Sequence, residues 1–128
     1  MTASILIVGQ DPDTVDFNAP GIAPGMTADK VRAGVEAALA DLTAKGLAAK
    51  NLYIQPDPAV AEREVAEALA AAPYDVVVVG AGVRVPPIRL FLFEAVINAI
   101  HRGAPNARIA FNTRPDDSAE AALRWAGR

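Results

Sequence analysis

Four consecutive valines, Val76 to Val79, preceded by Asp75 and followed by Gly80-Ala-Gly82, constrain this chain more than any other feature. An unbroken β-branched run bounded by a turn signal fits a strand buried on both faces, because a strand with one wet face alternates apolar and polar residues. Burial on both faces requires layers above and below, the situation of a parallel sheet held between helices. The Gly-Ala-Gly reads as a tight turn at the strand's carboxyl end, where a ligand can approach backbone without meeting a side chain.

The rest of the chain supplies the partners. Ile5–Val8 is a second short apolar run, ending at Gly9. Residues 10–26 hold three prolines and two glycines and show no periodicity. Thr27 is placed as an N-cap, and Val31, Val35, Ala38, Leu39 and Leu42 form one stripe of a helix that Gly46 stops. Leu52-Tyr-Ile-Gln55 alternates more and suits an edge strand. Asp57 caps a second helix with Pro58 at its first position, and Pro73 ends it. A third helix is expected from about Pro87 to Arg102, closed by Gly103-Ala-Pro105. Arg108–Asn112 reads as a fourth strand. Asp117-Ser-Ala-Glu120 has capping-box spacing and opens a last helix through Trp125.

Strands alternating with helices, through connections too long for hairpins, predict one domain over residues 1–128. The two most apolar strands belong in the middle and the more polar ones at the edges. The expected fold is a three-layer α/β sandwich around a four-stranded parallel sheet of order 2-1-3-4. That is a Rossmann-like topology, or a flavodoxin-like sheet without its fifth strand.

Composition narrows the function classes. Apolar residues make up 52% and charged residues 21%, which fits a packed domain and not a disordered chain. A net charge of −3 argues against nucleic acid or an anionic membrane as partner. The absence of cysteine removes disulfides and thiolate chemistry, and a single histidine makes a histidine-based metal site unfavourable, so no metal is expected. No apolar run approaches the ~20 residues of a membrane span. Met1-Thr-Ala-Ser leads into an apolar strand without a basic leader, so a cytoplasmic protein is expected.

A sheet of this order binds ligands beyond the carboxyl ends of its strands where strand order reverses, here between strands 1 and 3. Gly9, Gln10 and Asp11 meet Gly80, Ala81 and Gly82 there, with Asn112 and Arg114 flanking from strand 4. The two halves of the chain differ in charge. Residues 1–75 carry 5 basic and 11 acidic side chains, whereas residues 76–128 carry 7 basic and 4 acidic, and all seven are arginine. Arg84 and Arg114 lie near the expected crevice, and a guanidinium fork matches carboxylate or phosphate. An anionic small molecule or nucleotide fragment is therefore the expected ligand, with no cofactor identified.

The glycine turn departs from known phosphate cradles. A dinucleotide fingerprint needs a third glycine where Val85 stands, and Pro86-Pro87 lack the N–H donors of a helix-terminus phosphate site. Ala104-Pro105 and the short strand after it are similar to the corresponding tail of universal stress proteins. Their nucleotide loop pairs Gly-x-x-Gly with a later Gly-Ser or Gly-Thr. Here Gly82 is followed by no glycine until Gly103, so neither ATP binding nor its residues carry over.

The stripe of Glu94 and Asn98 on the third helix, projected back one turn, meets Leu90 and Phe91. Apolar residues there predict a covering surface, in the simplest case a second copy forming a homodimer. Fold-back of loop 10–26 is the competing cover. An interaction or scaffold protein acting through this helix is thus the alternative function. A third is an enzyme using Asp11 or Asp13 in carboxylate- or metal-assisted chemistry, a reading in which Asp16 would be a further ligand.

Overall fold

The structure, a computed structural model, describes residues 2–127. Val76–Val79 form β3, and all four side chains are fully buried. On one side β3 pairs with β1 (Ser4–Gln10), and on the other with β4 (Arg108–Phe111). β2 (Ala48–Ile54) pairs with the outer edge of β1. All pairings are parallel, and the sheet order is β2-β1-β3-β4. The expected three-layer sandwich is therefore the observed one.

The period-two alternation of the strands sorts their residues between two cores. Ile5, Ile7, Val76 and Val78 pack under α1 (Ala28–Ala44) and α5 (Ser118–Trp125). Leu6, Val8, Val77 and Val79 pack under α2 (Pro58–Ala71) and α4 (Leu90–Gly103). Each fully buried valine contributes roughly 1.5–3 kcal/mol of transfer free energy, which explains why this run occupies the centre. Helix starts follow the sequence signals. Thr27 Oγ1 accepts the Lys30 N–H at 3.2 Å, and the Asp57 carboxylate accepts those of Ala59 and Val60 at 2.9 and 3.2 Å. Among the described residues, no helix is long and apolar enough to cross a membrane.

Two local expectations are corrected. The segment after β3 is not a tight glycine turn followed by one helix from Pro87. A single helical turn, α3 (Ala81–Arg84), continues directly from the strand, a 3-10 turn spans Pro87–Arg89, and α4 starts at Leu90. Gly80 has φ −68°, and the positive-φ glycines all lie elsewhere. Pro86 and Pro87 have no N–H to give a helical ladder, so helix cannot run unbroken from Ala81 to Gly103. The second correction concerns Asp117. Its carboxylate makes no cap bond to α5 and instead turns back to the N–H groups of Thr113 and Arg114, at 3.0 and 3.2 Å.

Candidate functional site

On the face covered by α1 and α5, the side-chain rows of the two central strands run Ile5, Ile7 and Val76, Val78. The next position in each row is a glycine, Gly9 and Gly80. A Cβ built on Gly9 meets nothing within 4 Å, and one on Gly80 would lie 3.3 Å from the Val8 carbonyl oxygen. The open space at Gly9 belongs to a cavity of about 170 Å³ at the β1/β3 switch point, which Gly80 also lines. Ile7 and Val8 are at its sheet side, Val31 and Val35 of α1 form another wall, and Phe17 and Ile22 of the 11–27 connection close over it. Its surface is predominantly apolar.

The 11–27 connection is folded by short-range bonds and anchored at two points. Asp11 Oδ1 accepts the Asp13 N–H at 3.0 Å, and Gln10 Nε2 donates to the Thr14 carbonyl at 3.2 Å. Arg32 on α1 pairs with Asp13 at 2.5 Å, tying the first turn of the connection to the helix beneath it. Further along, Gly21 has φ +91°, and a Cβ there would stand 2.9 Å from Pro86 Cα. Only glycine accommodates both the conformation and the approach. The connection thus spans from α1 to the segment after α3, with the cavity beneath it.

Seven of the residues expected at the crevice wall this cavity. They are Gly9 and Gln10, then Gly80, Ala81 and Gly82, then Asn112 and Arg114. Several of them are committed to holding the wall. The Ala81 N–H donates to Asn112 Oδ1 at 2.7 Å, and Asn112 Nδ2 donates to Ser118 Oγ at 2.8 Å, a buried link joining α3, the end of β4 and α5. Gln10 is buried, with its amide nitrogen donating to Thr14. Arg114 is different. It is largely exposed at the cavity's edge, where it pairs with Asp116 at 2.7 Å and its charge also acts on Asp117. An exposed pair of this kind is worth at most about 1 kcal/mol and exchanges partners readily.

Arg84 and Asp11 stand outside the cavity wall. Arg84 Nη2 donates to the Asn112 carbonyl at 2.6 Å, and its guanidinium lies 5.3 Å from the centre of the Phe111 ring. Asp11 Oδ2 accepts from Gln55 at 3.4 Å while its other oxygen serves the turn. Asp16 accepts the Asn18 N–H at 3.0 Å. Among the described residues, no group of three or more His, Asp or Glu side chains is arranged to hold a metal.

Two polar residues of β2 that sequence reasoning passed over also line the wall, Asn51 and Tyr53. Alternation from Ala49 puts both on the α1 side of the sheet, and polar residues on the inner face of a strand were the available signal. Asn51 Oδ1 is shielded from solvent and has no hydrogen-bond partner, an omission that costs about 1–3 kcal/mol when nothing fills it. Burial pushes the Tyr53 phenol up from its ordinary pKa. The nearby Arg32 charge pulls it down, and Glu36 and Asp11 add to the rise. Tyr53 is therefore a neutral hydroxyl at physiological pH. Below the rim, burial raises the Asp117 carboxyl, but hydrogen bonds from Thr113 and Arg114 outweigh this and hold it below the ordinary carboxylate range.

The four residues expected to form a partner surface, Leu90, Phe91, Glu94 and Asn98, lie exposed along α4. Leu90 is 56% and Phe91 71% accessible, and Val85 and Ile88 extend the apolar patch. The 11–27 connection reaches Ile88 and Pro86 but leaves Phe91 uncovered. His101 lies on the exposed surface near the opposite end of α4. Comparison of the chain with protein-family models finds no matching family, and comparison with curated proteins finds no matching relative.

Proposed function

We propose that this protein binds a small organic anion, its apolar body lying in the cavity between the ends of β1 and β3 and its charged group meeting Arg114 at the edge. The observation that supports this reading is the apolar cavity at Gly9 beside an exposed arginine held by an exposed ion pair. A cavity of about 170 Å³ suits a body about the size of one six-membered ring, since an apolar hole of roughly 150 Å³ holds benzene. A whole nucleotide is too large for it. Of the two arginines expected to meet an anion, Arg114 carries the contact, and Arg84 braces Asn112 and Phe111 behind the wall.

Calorimetric titration of the full chain with benzoate and with benzyl alcohol tests the reading. Benzoate should bind more tightly than the alcohol, Arg114→Ala should erase that difference, and Gly9→Val should abolish binding of both. Equal affinity of wild type for the two probes removes the anion contact. Undiminished benzoate binding in Gly9→Val removes the cavity.

The exposed Val85, Ile88, Leu90 and Phe91 favour a second reading, in which a second copy of this chain covers α4 in a homodimer. Light scattering should then report a dimer that Phe91→Asp converts to monomer. A monomeric wild type at tens of micromolar overturns it.

A further inference from the structure

The cavity is not sealed, and its mouth adjoins the exposed apolar patch. Exposed residues of the wall mark the opening, with Gly82 and Val85 after β3 on one side and Thr113 and Arg114 after β4 on the other. Val85 belongs to both features, since it lines the cavity and is 47% accessible. Ile88, three residues on and 74% accessible, borders a cleft that shares Gly82 with the cavity wall. Apolar surface therefore continues from the cavity out over Val85 to Ile88.

The two sides of the mouth differ in the ligand chemistry they complement. Arg114 matches negative charge, whereas Val85 and Ile88 match apolar surface. A ring acid alone fills the cavity and reaches Arg114 but leaves Val85 and Ile88 in water. A peptide ending in an aromatic residue serves both sides. Only the last residue of a chain attaches a carboxylate to the same Cα as its ring, and an acidic side chain next to it points to the opposite face of an extended peptide. With the ring in the cavity and the α-carboxylate on Arg114, the preceding residues leave over Val85. The side chain two positions before the end returns to the ring's side, where it meets Ile88.

Resting on the anion-site reading above, we infer that this end of the sheet receives the carboxyl terminus of a partner polypeptide. Its terminal aromatic side chain occupies the cavity, whose volume of about 170 Å³ suits one ring, and an apolar residue two positions earlier covers Ile88. The charge complement is the Arg114 fork against the two oxygens of a terminal carboxylate. The Val85–Ile88 surface then has a different occupant from the second copy considered above.

The experiment is titration of the full chain with three probes. They are acetyl-Leu-Ala-Phe as the free acid, the same peptide as its carboxamide, and 3-phenylpropanoate, which keeps ring and carboxylate without the chain. Wild type should bind the peptide acid about tenfold more tightly than 3-phenylpropanoate, because burial of the leucine exceeds the cost of ordering the peptide. The carboxamide should bind at least about fivefold more weakly than the acid. Ile88→Ser, at an exposed position, should reduce the peptide's advantage to within about twofold and leave 3-phenylpropanoate binding unchanged. A peptide acid that binds no more tightly than 3-phenylpropanoate overturns the inference while the anion site stands. So does an advantage that survives in Ile88→Ser, and so does equal binding of acid and carboxamide. If neither the peptide acid nor 3-phenylpropanoate binds wild type, both readings fall.

Discussion

Asn112 Oδ1 accepts the Ala81 N–H across 2.7 Å and 31 residues of chain, fixing the end of β4 to the first turn after β3. The same side chain donates to Ser118 Oγ, which donates to the Pro115 carbonyl at 3.0 Å. One asparagine thereby satisfies the buried polar groups of three segments that meet at the cavity.

Removing that side chain leaves the Ala81 N–H without its acceptor and Ser118 without its donor. Asn112→Ala should lower the unfolding free energy by about 2–3 kcal/mol, measured by urea titration. A loss under about 0.5 kcal/mol would mean that solvent satisfies these groups and that the link is not structural.

Gly9 has the opposite character, because open space surrounds the position of its missing Cβ. Gly9→Ala should raise stability by about 0.5–1 kcal/mol through the stiffer unfolded chain and the added apolar contact. The melting temperature should rise by a few degrees. A fall in melting temperature would show that the cavity end of β1 does not tolerate a side chain.

Gly21 and Gly25 form an internal control. Both have positive φ, +91° and +77°, but only Gly21 stands against backbone, its absent Cβ 2.9 Å from Pro86 Cα. Gly25→Ala should cost only the left-handed conformation, about 1–2 kcal/mol. Gly21→Ala should also push the 11–27 connection off Pro86 and speed amide exchange at Val15, Ala19 and Ile22, measured by hydrogen–deuterium exchange. Identical exchange in the two variants refutes the contact.

Acid sensitivity should trace in part to Asp117. Its folded carboxyl lies below the ordinary value near 3.8, so it contributes stability above that pH and loses it as pH falls through the folded value. Between about pH 4 and pH 2 the wild-type melting temperature should therefore fall more than that of Asp117→Asn, which keeps an acceptor for the Thr113 and Arg114 N–H groups. Parallel melting curves over that range would show that the carboxylate's charge is not used.

The path from chain to sheet was largely local. Four valines demand a strand with both faces covered, Thr27 and Asp57 supply the helix starts, and relative hydrophobicity orders the strands as 2-1-3-4. These features depend on neighbours a few residues apart, so periodicity and composition express them. The place of the cavity followed from the same topology, because the reversal of strand order needs no side-chain detail.

What tertiary structure alone decided was what the switch point is made of. Gly80-Ala-Gly82 reads as a tight turn until Asn112 captures the Ala81 N–H and the segment becomes the first turn of a helix. Arg84 reads as an exposed rim arginine until the fold sets its guanidinium on the Asn112 carbonyl and beside the Phe111 ring. Asn51 is an ordinary edge-strand residue until the fold buries its side-chain oxygen without a hydrogen-bond partner. The physical reason is common to all three. A backbone conformation follows from local sterics and hydrogen bonding, whereas an empty volume, or a polar atom with no partner, exists only once distant segments have closed around it.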